Sequence, residues 1–110
     1  MKKEQQKVIN YVAKNIFDMA MTEYAKRPWY NGKNWERLRY CQAEVIETEN
    51  FYILRSYNTI VAVIEKASDI CVDMLRHEYG YTPSSASHIA KFRRAYGGDK
   101  WGCKIEYTYR

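Results

Sequence analysis

Ile9, Val12, Ile16 and Met19 recur at steps of three and four, the spacing of one helical face, and predict a helix over residues 4–27. Ala13, Phe17, Ala20, Met21 and Tyr24 widen the stripe, and no Gly or Pro interrupts it before Pro28. Lys26 and Arg27 suit the negative end of the helix dipole. Two roles fit so wide a stripe: it wraps a curved core, or its extra face meets a partner or a second copy. Residues 28–35 form a turn-rich connector around Asn31-Gly32. Its two tryptophans, Trp29 and Trp35, are either lids over the core or exposed anchors for a partner.

The centre of the chain changes period. Residues 41–47, 51–55, 59–64 and 70–74 read as strands separated by turns at Glu49-Asn50, Tyr57-Asn58 and Ala67-Ser68-Asp69. Connections this short predict an antiparallel meander. The run Thr59-Ile60-Val61-Ala62-Val63-Ile64 is almost wholly apolar, as in a central strand covered on both faces. A second helix follows, with Thr82 as N-cap, Pro83 at its first position and Ala86, Ile89, Phe92 and Tyr96 as its stripe. Gly97-Gly98 ends it, with Gly97 expected in the left-handed conformation. Residues 103–110 alternate strictly, Cys103, Ile105, Tyr107 and Tyr109 against Lys104, Glu106, Thr108 and Arg110, the mark of a half-buried antiparallel strand.

These elements predict an α+β fold in one domain spanning residues 1–110. An antiparallel sheet of four to five strands is packed by two helices, in the order αββββαβ. Val12, Ile16, Ile53, Val61, Val63, Ile89, Phe92 and Ile105 are the expected core.

Composition narrows the functional classes. A hydrophobic content of 46% argues against disorder. Residues 1–7 are polar, and no apolar stretch approaches the roughly 20 residues of a membrane-spanning helix. A cytoplasmic setting without membrane attachment is expected. Cys41, Cys71 and Cys103 are an odd, isolated set, unlike a disulfide framework. With His77 and His88 they include enough ligands for one zinc, but structural zinc sites usually use close cysteine pairs, so no metal is expected. The five glycines match no phosphate-binding loop, and no GxSxG elbow occurs. No cofactor, catalytic residue or enzymatic activity is therefore expected.

The charge pattern points elsewhere. The net charge is +5, and residues 79–110 carry six Lys/Arg against two Asp/Glu. Most of the excess thus falls in the last third, around the second helix. There His88, Lys91 and Arg94 follow at steps of three, with Arg93 alongside and Lys100, Trp101 and Tyr81 flanking. These residues form the candidate partner-binding surface. Its chemistry suits an acidic protein surface or a nucleic acid, whose phosphates pair with cations and whose bases stack on rings. The alternative is a solvated helix face.

Two stretches carry a resemblance. Residues 55–64, Arg-Ser-Tyr-Asn-Thr-Ile-Val-Ala-Val-Ile, resemble a strand–turn–strand block of small bacteriophage and mobile-element proteins. Residues 81–92 resemble the Tyr, Ser/Thr-rich turn, His and Phe pattern that follows it there, departing from it at Pro83 and Ala86. The resemblance spans roughly residues 51–96, outside the first helix and last strand. Some members of that family lie near or among anti-CRISPR genes. It implies a phage or mobile-element protein, with inhibition of a CRISPR effector nuclease by stoichiometric binding as one job; the chain itself is expected to be a monomer or a homodimer. The rival is a nucleic-acid-binding accessory or regulatory protein of the same element.

Overall fold

A computed structural model describes residues 3–26, 35–38, 42–57, 59–78, 83–97 and 104–108. Its elements are α1 (Lys3–Ala25), β1 (Glu36–Arg37), β2 (Ala43–Glu47), β3 (Phe51–Ser56), β4 (Thr59–Glu65) and β5 (Cys71–Asp73). α2 (Leu75–Glu78), α3 (Pro83–Tyr96) and β6 (Lys104–Glu106) complete the order. The α+β class holds, but the sheet is larger than expected and mixed. Six strands run in sequence order, antiparallel from β1 to β5, and β6 pairs parallel to β5. The parallel closure follows from the connection. A strand returning after a tight turn must run antiparallel, whereas the crossover through α2 and α3 is long enough to bring β6 back parallel. The short β1 and α2 escape the sequence reading because neither is long enough to display a period.

One helix covers each face. α1 lays Ala13, Ile16, Phe17 and Ala20 on Ile46, Phe51, Ile53, Val63 and Val72. α3 lays Ile89 and Phe92 on Val45, Leu54, Val61, Ala62 and Ile64. Alternation along β3 sends Phe51 and Ile53 to the α1 side and Tyr52 and Leu54 to the α3 side. β4 is the buried central strand its sequence predicts: Val61, Ala62, Val63 and Ile64 are fully enclosed. The neighbours Val61 and Ala62 face the same layer because a bulge there sets Ile60 against Arg55 and Ala62 against Leu54.

α1 is rotated from its expected phase. Its innermost residues are Asn10, Ala13 and Ala20, whereas Val12 is 39% exposed and Met19 49%. Alanine lets the helix axis approach the sheet closely, so the small-residue side docks and the Val12–Met19 side turns outward. Hydrogen bonds fasten α1 at both ends. Asn10 Nδ2 donates to Thr108 Oγ1 at 3.1 Å, and Asn10 Oδ1 accepts from the Thr108 N–H at 3.1 Å. Near the other end, Glu23 accepts from Thr48 Oγ1 at 2.5 Å and from the Asn50 N–H at 2.6 Å. Ile105 and Tyr107 face α1 as the alternation of the last segment predicts, although the strand there is limited to Lys104–Glu106.

Candidate functional site

α3 begins at Pro83, where a missing N–H costs no hydrogen bond, and carries Ile89 and Phe92 into the core. Turning 100° per residue, it places Ser85 and His88 on the same inner side. His88 is only 5% exposed and does not join the expected basic face. Its Nδ1 lies 2.8 Å from Ser56 Oγ, which is 3.0 Å from Ser85 Oγ. Burial lowers the His88 pKa below its ordinary 6.5, and the Lys91 charge lowers it further. The spacing held this signal: His88 lies three residues after Ser85 and four before Phe92, on the inner stripe.

A serine beside a histidine is also the opening pair of a nucleophile and its base. Here Ser56 is fully enclosed, so its oxygen is closed to a substrate. The cluster is a buried polar knot in which each group supplies the partner the others need. Cys71 is likewise a core residue. Burial, and then the charge of Asp73, pushes its thiol up to about 12, far from a reactive thiolate. Cys41 and Cys103 lie outside the described residues. Among the described residues no group of His, Cys, Asp and Glu is placed to hold a metal ion. Also among them, no helix is long and apolar enough to cross a membrane.

The other predicted residues divide. Lys91 is half-buried and Arg94 exposed on the outward arc of α3, beside the exposed Ser84 and Ser87. Arg93 turns to one side and lines a cleft of about 110 Å³ between α3 and the β5–β6 edge. Tyr81, Lys100 and Trp101 lie outside the described residues, as does Trp29. Trp35 is a lid rather than an anchor: half-buried, it packs edge-on to Tyr24 at 5.7 Å under the Arg55 guanidinium at 4.1 Å.

Two cations that the sequence reading did not single out join Arg93 at the cleft. Arg76 from α2 pairs with Glu106 at 3.4 Å, and Lys104 from β6 pairs with Asp73 at 3.5 Å. Asp73 is buried and also accepts from the Leu75 N–H at 2.9 Å, the turn that starts α2. Arg76 and Lys104 are 51% and 38% exposed in their side chains. Three cations, Arg76, Arg93 and Lys104, thus share the cleft with the carboxylates of Asp73 and Glu106, while Lys91 and Arg94 lie on other sides of α3. Only the crossover brings Arg76 and Lys104 together, so no local spacing could have shown the pair.

A second, larger cleft of about 850 Å³ has the opposite sign. It lies between the C-terminal half of α1 and the turns after β2 and β4, lined by Asp18, Glu23, Glu49 and Glu65 against Lys26. The molecule is thus electrically polarised. Comparison with protein families, with curated proteins and with solved structures finds no match.

Proposed function

We propose that this protein acts as a stoichiometric binding inhibitor, docking the basic surface of α3 and the β5–β6 edge on an acidic surface of its target. The observation that carries the reading is the convergence of Arg76, Arg93 and Lys104 from three elements around one cleft, with Arg94 exposed and Lys91 half-buried elsewhere on α3. Charges gathered in this way steer association and select complementary partners. The family resemblance of residues 51–96 makes a CRISPR effector nuclease the first target to test. Nucleic-acid binding is the second reading. It is favoured by Tyr57, which is 51% exposed beside His88 at a ring distance of 5.4 Å and offers a stacking face.

The test is the pair Lys91→Glu and Arg94→Glu, which leaves the half-buried Arg93 in place. Circular dichroism first establishes an unchanged fold. Binding to the nuclease, to guide-loaded nuclease and to free DNA is then measured across salt concentrations. The inhibitor reading expects nuclease affinity to fall by about tenfold or more, the equivalent of about 1.4 kcal/mol. It also expects wild-type protein to stop DNA cleavage near one-to-one stoichiometry. Strong wild-type binding to free DNA, weakening steeply with salt and lost in the variant, establishes the second reading instead. No change in any arm rejects both.

A further inference from the structure

The sheet buries one side of α1 and leaves four large hydrophobics exposed on the other. On the other side Val8 is 63% exposed, Tyr11 71%, Met19 49% and Val12 39%. At 100° per residue, positions 4, 8, 11, 15, 19, 22 and 26 share this side, opposite Ala13, Phe17 and Ala20, and Asn15, Met19, Thr22 and Lys26 are at once the α1 wall of the open acidic cleft. Tyr11 and Met19, one turn either side of Asn15, are residue types that protein interfaces favour.

The order of residues along the stripe indicates what covers it. Asn15 stands at its centre. Four residues before it is Tyr11 and four after is Met19; seven before is Val8 and seven after is Thr22. Eleven before is Glu4 and eleven after is Lys26, both exposed. When two identical helices cross antiparallel at Asn15, each of these residues meets its counterpart in the other copy. Tyr11 falls on Met19 of the second copy, Val8 on Thr22, Glu4 on Lys26, and Asn15 on Asn15. The Tyr11–Met19, Val8–Thr22 and Glu4–Lys26 pairings each occur twice, as an isologous two-fold interface requires, and the Asn15 pair lies on the axis, while Val12 at the rim falls beside Asp18. The facing asparagines supply the polar pair that fixes register in a helical interface. Parallel pairing would instead oppose Glu4 to Glu4 and Lys26 to Lys26.

We propose that the outward face of α1 docks against the same face of a second copy of this chain, forming an antiparallel homodimer centred on Asn15. Sedimentation of the full chain over a concentration series should show dimers. The double change Tyr11→Glu, Met19→Glu should yield monomers with the same circular dichroism. The charge pair gives an independent reading. Glu4 and Lys26 of one chain are about 33 Å apart along the helix, too far to interact within a copy. Glu4→Lys or Lys26→Glu alone should weaken the dimer about threefold or more at low salt. Combined, they should restore it, because the interaction reappears only between copies. A chain that stays monomeric up to about 1 mM overturns the proposal. So does a dimer indifferent to Tyr11 and Met19, or a double charge swap weaker than both single changes.

Discussion

The Ser56–Ser85–His88 knot shows how one residue can be read wrongly by type and rightly by position. As a basic residue beside Lys91 and Arg94, His88 belongs with a charged surface; by its step from Ser85 to Phe92 it belongs inside. The fold resolves the conflict by keeping the imidazole neutral and bonding its Nδ1 to Ser56 at 2.8 Å. The energetic consequence has a definite sign. Burial first, and Lys91 second, place the folded pKa below the unfolded value of 6.5. Both states are neutral above that value, so His88 leaves stability unchanged there. As pH falls below 6.5 the unfolded chain takes the proton first, and stability is lost until the pH passes the lower folded value. Denaturant midpoints from pH 7 downward should therefore show a loss that the His88→Asn variant lacks over that window. An identical slope in both proteins refutes it. Ser56→Ala, which strips the imidazole of this partner, should cost about 1–3 kcal/mol at pH 7.

Elements were most legible where burial is two-sided. The run Thr59–Ile64 announced a central strand, and the stripe of α3 named Ile89 and Phe92, because a period repeated in a well-buried element leaves few alternatives. α1 was legible as a helix but not in phase. Val12 and Met19 are as apolar as Ile16 and Phe17, and only the close approach allowed by Ala13 and Ala20 decides which side docks. The end of α3 gives a sharper lesson. Gly97 was expected to need a left-handed backbone, yet its φ lies outside that range. Its N–H still bonds the Arg93 carbonyl at 2.9 Å. The glycine is required for space instead: a Cβ there would sit 2.6 Å from the same Arg93 oxygen, with backbone on both sides of the clash. Gly97→Ala should therefore destabilise by on the order of 1 kcal/mol or more, the opposite of the usual helix-propensity gain from Gly to Ala. Urea denaturation measures it. An alanine variant as stable as the wild type would show that the chain leaves α3 with more freedom than this geometry permits.

For the whole molecule, what the sequence reading missed is long-range. The β5–β6 pairing, the Arg76–Lys104 cleft and the fastening of α1 all join segments that the chain separates. The fastening can be tested as a unit. Asn10, 2% exposed, is an acceptor for the Thr108 N–H and so ties α1 to the end of the β6 segment. Glu23 ties the other end to the β2–β3 turn through Thr48 and Asn50, with Asn50 Nδ2 adding a bond at 2.9 Å. Burial alone would raise the Glu23 carboxyl, but the hydrogen bonds from Thr48 and Asn50 outweigh it and hold it below 4.5. The clamp is thus strongest with the carboxylate charged, and it weakens in acid as that group protonates. Asn10→Ala orphans an amide N–H, and Glu23→Gln exchanges a charged acceptor for a neutral one. Each should cost about 1–3 kcal/mol. The two sites lie about 20 Å apart along the helix, beyond the range over which substitutions usually couple. If α1 is a rigid strap held independently at each end, the double variant should lose the sum of the single losses to within about 0.5 kcal/mol. A double variant that loses clearly less would mean that releasing one end already frees the other. The helix would then dock as a single cooperative unit, and its outward face would be only as well placed as its weaker end.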